Sequence, residues 1–376
     1  MEHYLDNAAT TKVCPEAAEA ALKAMTELYG NPSSTHTKGR EAKKLLDASR
    51  KAVSSALGCM PGELVFTSCG SESDNWAILN GAELMKRRGK HIISSAVEHD
   101  AVRKSLDLLE ASGYEVTRLT PDEKGAISIS SVLNALREDT ILVSLMMVNN
   151  ETGAVTDIHA ISQALKKAGS QALFHTDAVQ AFMKVPFKAK NLGADLISIS
   201  GHKIHAPKGI GALYIRNGLR LKPFISGGSQ EEGRRAGTEA MPQIAAFAKA
   251  CEIASAGMDD NLAHMKTLKQ HALDGLRAEI PELIALETDA PHILSISMPG
   301  WRSEVLMNLL ETKEIYVSKS SACKKGGRSH VLEAIGMKSD AIDGALRIGL
   351  SRYSTEEDIS ALITGLLEAR NTLAHR

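Results

Sequence analysis

Between residues 61 and 215 the chain alternates short, β-rich apolar runs with segments of helical period. "ELVFT", "HIISSA", "EVTRLT", "TILVSLMMV", "ALFHTDA", "DLISIS" and "ALYIR" read as strands. "ESDNWAILNGAELM", "DAVRKSLDLLEASG" and "HAISQALKKAG" fall between them and read as helices. Such alternation is best satisfied by an α/β domain with a largely parallel sheet, because each crossover helix covers a sheet face. Two more helical segments come first. One starts at Pro15 and stops at Gly30, and the other carries an apolar stripe through Ala42, Leu45, Leu46 and Val53 up to Gly58. The last third mixes helices with the strands "ILSISM" and "ALRIGLS", which suits a smaller α+β domain. The expected organisation is a large domain over 15–250, with residues 1–14 and 251–376 forming the small one.

Composition narrows the function. The formal net charge is −1, so the basic surplus of a nucleic-acid-binding protein is missing. No apolar run has the length of a membrane span, and "MEHYLDNAATT" does not read as a secretory signal. A cytoplasmic protein is expected. The five cysteines are odd in number and contain no C-x-x-C pair, which argues against a disulfide framework or a structural zinc site.

Chemistry-bearing residues gather where strands end. "FTSCGSESDN" sets Ser68, Gly70 and Ser71 at a strand-to-helix turn, whose free N–H groups suit a phosphate. The same turn is also an ordinary N-cap. His99 follows "HIISSA", Asp177 ends "ALFHT" with Gln180 close behind, and "SISGHK" brings Ser200, His202 and Lys203. Alone, each of these is a cap, an ion-pair partner or a strand-end lysine reaching water. Together they make a phosphate cradle, a carboxylate, an imidazole and an amine at the strand ends of one domain, which is the set that pyridoxal 5′-phosphate requires.

The chain resembles the cysteine desulfurases of the class V aminotransferase family, the NifS/IscS-like group. The resemblance rests on "YLDNAATT", "GNPSSTH", "SESDNWAI", "EHDAV", "VNNETGAV", "HTDAVQ", "GHKIHAPKG", "GGSQEEGRRAGTEA", "SSAC" and "LRIGLSRYSTEEDI", collinear and nearly end to end. It implies a fold-type I pyridoxal-phosphate transferase, with a mostly parallel central sheet flanked by helices and a smaller α+β domain. Lys203 then resembles the lysine that holds the cofactor covalently. Asp177 resembles the partner of the pyridine nitrogen, Gln180 the donor to the phenolic oxygen, and His99 the stacking imidazole and an acid–base group. Gly70, Ser71, Ser200 and His202 match the phosphate cup. Thr238 matches a residue reaching the phosphate of the other subunit, which implies a homodimer. Asn150 resembles the residue beside cofactor and substrate, and Arg347 matches the bidentate clamp on the substrate carboxylate.

Cys323 lies in "VSKSSACKKGGRSH", whose Ser, Gly and Lys content reads as an exposed loop with local positive potential. By resemblance it is the nucleophile that takes sulfur from L-cysteine as a persulfide, leaves L-alanine and passes the sulfur to an acceptor protein. The acceptor would serve iron–sulfur cluster assembly or the sulfuration of tRNA or a cofactor. Lys319 and Ala240 depart from the family pattern, as does Cys69, which stands where glycine is common. A selenocysteine lyase, another class V enzyme or a non-catalytic persulfide scaffold are the alternatives. No metal-ligand spacing is present. His205 is read as structural, and Arg352 as an ordinary ion-pairing residue.

Overall fold

The computed structural model describes residues 2–319 and 327–374. Its central sheet has seven strands in the order Leu64–Thr67, Gly211–Ile215, Leu196–Ser200, Leu173–Asp177, Thr140–Ser144, His91–Ser95 and Glu115–Leu119. Pairing is parallel from Leu196–Ser200 through to Glu115–Leu119. Gly211–Ile215 runs antiparallel to both its neighbours. The five inner strands are buried at every position, as expected where helices cover both faces. The parallel strands therefore end along one edge, and Ser95, Ser144, Asp177 and Ser200 stand on it. Ligands bind on that edge in open α/β sheets.

Local chemistry sets the element limits. Helix Thr37–Leu57 is capped by His36, whose ring nitrogen accepts from Gly39 N. It stops at Gly58, where φ is +78° and an added Cβ would lie 2.6 Å from the Lys188 side chain. The first long helix, Pro15–Thr26, ends short of the expected Gly30. Both helices pack against Met241–Ala256, which runs through residue 250 without a break. "TILVSLMMV" keeps regular pairing only to Ser144; beyond it, Leu145 N and Met147 N still donate to His175 O and Asp177 O, guiding the chain towards the sheet edge. The segment read as one helix from Glu72 starts at Gly70 and contains a π turn over Trp76–Asn80. There the buried Trp76 indole and the Asn80 amide both donate to Lys222 O, at 2.8 Å each.

A second, antiparallel sheet orders Ser318–Lys319, Ala345–Gly349, Ile293–Ser297 and Ile284–Leu286. Its core gathers Leu294, Leu306, Leu346, Leu362 and, from the N-terminus, Leu5. The larger core holds Val143, Phe174, Ile197 and Phe247 together with Ala8 and Cys14. His3–Tyr4 pairs with Ile315–Tyr316, after which the chain crosses Gly349 so closely that a Cβ there would lie 2.4 Å from Ala8 N. This crossing carries Asp6, Ala8 and Ala9 from the second core to the carboxyl edge of the central sheet.

Candidate active site

A cavity of about 330 Å³ opens at that edge. Gly70, Ser71, His99, Asn150, Asp177, Gln180, Ser200, His202, Lys203 and Arg347 all line it, with Ala8 and Ala9. Sequence-distant strand ends thus converge on one space of ligand size.

Lys203 closes the short 3₁₀ turn Gly201–Lys203 that follows Leu196–Ser200. Its Nζ donates to Ala8 O and Ala9 O, both at 2.7 Å. The N-terminal crossing therefore aims this amine. Asp177 ends the neighbouring strand, is 5 % exposed and accepts from Val179 N at 2.9 Å. Burial pushes its pKa up, while His99 and Lys203 pull it down. Gln180 donates to Ala8 O at 2.8 Å and accepts from His292 Nε2 at 3.3 Å, which leaves one amide hydrogen free for a ligand.

His99 is the N-cap of Asp100–Ala111, accepting from Ala101 N through Nδ1 at 3.1 Å. Its neutral ring then carries the proton on Nε2. The capping and pocket-lining roles hold together. His202 bonds Thr10 Oγ1 at 3.2 Å, and burial beside Lys203 lowers its pKa to about 3, so it is a neutral imidazole. Ser200 Oγ is buried with no partner among the described residues. At the start of Gly70–Asn75, the first-turn N–H groups have no intrahelical acceptor. A Cβ on Gly70 would approach Val179 Cγ2 to 2.8 Å, so glycine lets this turn close on the Asp177 loop.

Arg347 lies on the strand Ala345–Gly349 and is 2 % exposed. Nη1 donates to Asn150 O at 2.9 Å, Nη2 pairs with Asp6 Oδ1 at 3.1 Å, and Nε is buried and unpartnered. A guanidinium fixed on one side with a donor to spare can receive a carboxylate. Thr238 is exposed and lines no part of its own chain's cavity. Cys323 lies outside the described residues. Cys14 and Cys251 are buried, burial raises the Cys251 thiol well above its ordinary pKa, and Cys59 is pushed up to about 12.

Several groups around the site carry no role in the sequence reading. Asp6 holds Arg347. Asp74 is buried beside Asp177, with Oδ1 3.6 Å from His175 Nε2, and burial plus the Asp177 charge raise its pKa well above the carboxylate range. His175 is neutral, its pKa lowered to about 3 by burial, so this contact is no ion pair. Glu98 is raised to about 8 by burial. Asp6, Asp74 and Glu98 stood inside "YLDNAATT", "SESDNWAI" and "EHDAV", but their spacing looks like that of capping or solvated carboxylates. Arg352 corrects an expectation. It makes no ion pair among the described residues; its Nε and Nη2 are buried without acceptors, and the guanidinium lies 4.9 Å from the Tyr353 ring centre.

The "Aminotransferase class-V" family model matches residues 3–362. "Cysteine desulfurase IscS" of Methanosarcina thermophila is 42 % identical over 365 residues, covering 96 % of this chain and 90 % of that protein. A solved structure titled "NIFS-LIKE PROTEIN" superposes with a TM-score of 0.94 at 37 % identity, covering 99 % of this chain and all of the other. The structure titled "SspA in complex with cysteine" superposes at 0.81 with 31 % identity, covering 94 % of this chain and 100 % of its own. Matches of this length place the chain in the class V aminotransferase family.

Proposed function

We propose that the chain is a cysteine desulfurase, converting L-cysteine to L-alanine and carrying the released sulfur on Cys323. The reading is carried by the convergence of Lys203, Asp177, Gln180, His99 and Arg347 on one cavity. The relatives named cysteine desulfurase, at about 40 % identity over 96 % of the chain, support it.

The cavity suits pyridoxal phosphate. Ser200 Oγ is an orphaned donor beside the Gly70 turn, whose first N–H groups have no intrahelical acceptor. Lys203 would hold the cofactor covalently through Nζ. Gly70, Ser71, Ser200 and His202 would take its phosphate, with Thr238 of a second subunit. Asp177 would keep the pyridine nitrogen protonated, Gln180 would donate to the phenolic oxygen, and His99 would cover the ring. When bound, the group supplies a sink for the electron pair released at the substrate Cα.

The chain's own groups do the rest. Arg347, braced by Asp6 and Asn150, binds the cysteine carboxylate and orients Cα towards Lys203. Lys203 takes the Cα proton. Cys323 Sγ, as thiolate, bonds the substrate sulfur. The Cβ–S bond breaks, its electron pair stays with the three-carbon fragment, Cβ gains a proton, and Lys203 returns the proton to Cα as the fragment leaves as alanine. A homodimer in the cytoplasm, passing sulfur to an acceptor protein, completes the reading. The chain is read as dividing into 15–250 and 1–14 with 251–376; two main cores broadly follow this, although Ala8, Cys14, Cys251, Ala290 and Ile293 join the larger one. No described helix is long and apolar enough to cross a membrane.

The test is to incubate holoenzyme with L-cysteine and a reducing thiol and to quantify alanine and sulfide. Equal amounts from the parent, and loss of both from Cys323→Ala, are expected. Sulfide from Cys323→Ala at the parental rate would refute the assigned nucleophile.

A further inference from the structure

Behind Lys203, away from the main cavity, lies a second, small one of about 20 Å³. That is room for one water-sized or halide-sized particle. Lys184, Lys203, His205, Asn261, Ser351 and Arg352 line it, and no described Asp or Glu does. Lys184 is 6 % exposed, and its Nζ is buried with no acceptor among the described residues. Arg352 contributes two more buried N–H donors without acceptors, Nε and Nη2. The Lys184 charge also lowers the pKa of His202, His205 and His292. Two walls are built on left-handed residues that are not glycine, Met183 at φ +59° and His205 at φ +70°. Strain of this kind persists where the surroundings over-determine a site.

A buried donor left unsatisfied is costly, and a buried cation without a counter-charge more so. His205 Nδ1 donates to Lys12 O at 2.8 Å, and Thr11 Oγ1 donates to His202 O. A water here could find acceptors among the neutral lining groups, but it brings no charge to set against the two cationic side chains. A single anion accepts from the unpartnered Lys184 and Arg352 donors and supplies that charge.

We propose that this cavity is a binding site for one monovalent, halide-sized anion such as chloride, held by Lys184 and Arg352. The anion supplies the counter-charge that the lining omits. Burial, with Lys203 and Arg347 nearby, otherwise pushes the Lys184 pKa well below that of an ordinary lysine. Because Lys203 shares the cavity, the site braces the rear of the cofactor-binding turn.

The test uses purified holoenzyme crystallised in sodium bromide, with anomalous difference maps. A bromide peak between Lys184 and Arg352 is expected. In solution, the thermal midpoint should rise saturably with chloride over gluconate at equal ionic strength, and stay flat in Lys184→Met and Arg352→Gln. If one variant does not fold, the other and the bromide map decide. Water alone in the cavity, a chloride response retained in the variants, or a bromide peak with no saturable response in solution each overturns the proposal.

Discussion

One carboxyl oxygen of Glu98 accepts from Ser95 Oγ at 2.5 Å and from Met146 N at 3.1 Å, and the other is buried without a partner. Burial raises its pKa to about 8, so the folded chain keeps a proton that an unfolded Glu loses above its ordinary value. With more protons bound in the native state, stability falls as pH rises from about 4.5 to about 8, by about 1.4 kcal/mol per pH unit at most. Glu98→Gln should flatten this part of a denaturation-versus-pH curve; an unchanged slope would mean that Glu98 is ionised in the fold. The same physics separates the thiols. With Cys59 raised to about 12 and Cys251 well above its usual value, neither should alkylate in native enzyme at pH 7, by peptide mass mapping. Modification at the rate of a free thiol would contradict their burial.

Strand ends and helix starts make the site, and their tolerances are narrow. Gly70→Ala puts a methyl 2.8 Å from Val179 Cγ2, so the turn must move off the Asp177 loop. An overpacking cost of about 1–3 kcal/mol and weaker cofactor retention on dialysis are expected; undiminished retention would mean that the turn does not cradle the phosphate. These elements were legible in the sequence because buried parallel strands are short apolar runs, and Thr67, Asp177 and Ser200 end them visibly. The π turn at Trp76–Asn80 was not, since its cause is a tertiary bond to Lys222, far away in sequence. The Asp6–Arg347 pair and the Asp74–Asp177 proximity were equally hidden, because burial, which gives those carboxylates their character, has no local sequence signal. The same holds for the burial of Lys184 and of Arg352 Nε and Nη2.

At the scale of the molecule, buried charge ties distant segments together. Arg50 makes a two-pronged pair with Glu231, at 2.7 and 2.6 Å, and Glu231 also accepts from Phe66 N at 3.0 Å. Helix Thr37–Leu57, strand Leu64–Thr67 and the segment leading to Thr238 therefore share one buried carboxylate. Glu231→Ala leaves Arg50 without its partner, and denaturant unfolding should show a loss of about 3 kcal/mol; a loss below about 1 kcal/mol would show the pair to be an ordinary surface contact. The N-terminal crossing is the corresponding link between the two cores, since Asp6 holds Arg347 while Ala8 and Ala9 hold Lys203. The account depends most on Lys203. Borohydride reduction of the holoenzyme, followed by proteolysis and mass spectrometry, reads which amine carries the cofactor. The reduced cofactor is expected on the Lys203 peptide alone. Label on Lys184 or Lys208, or on no lysine, would contradict the site as built here.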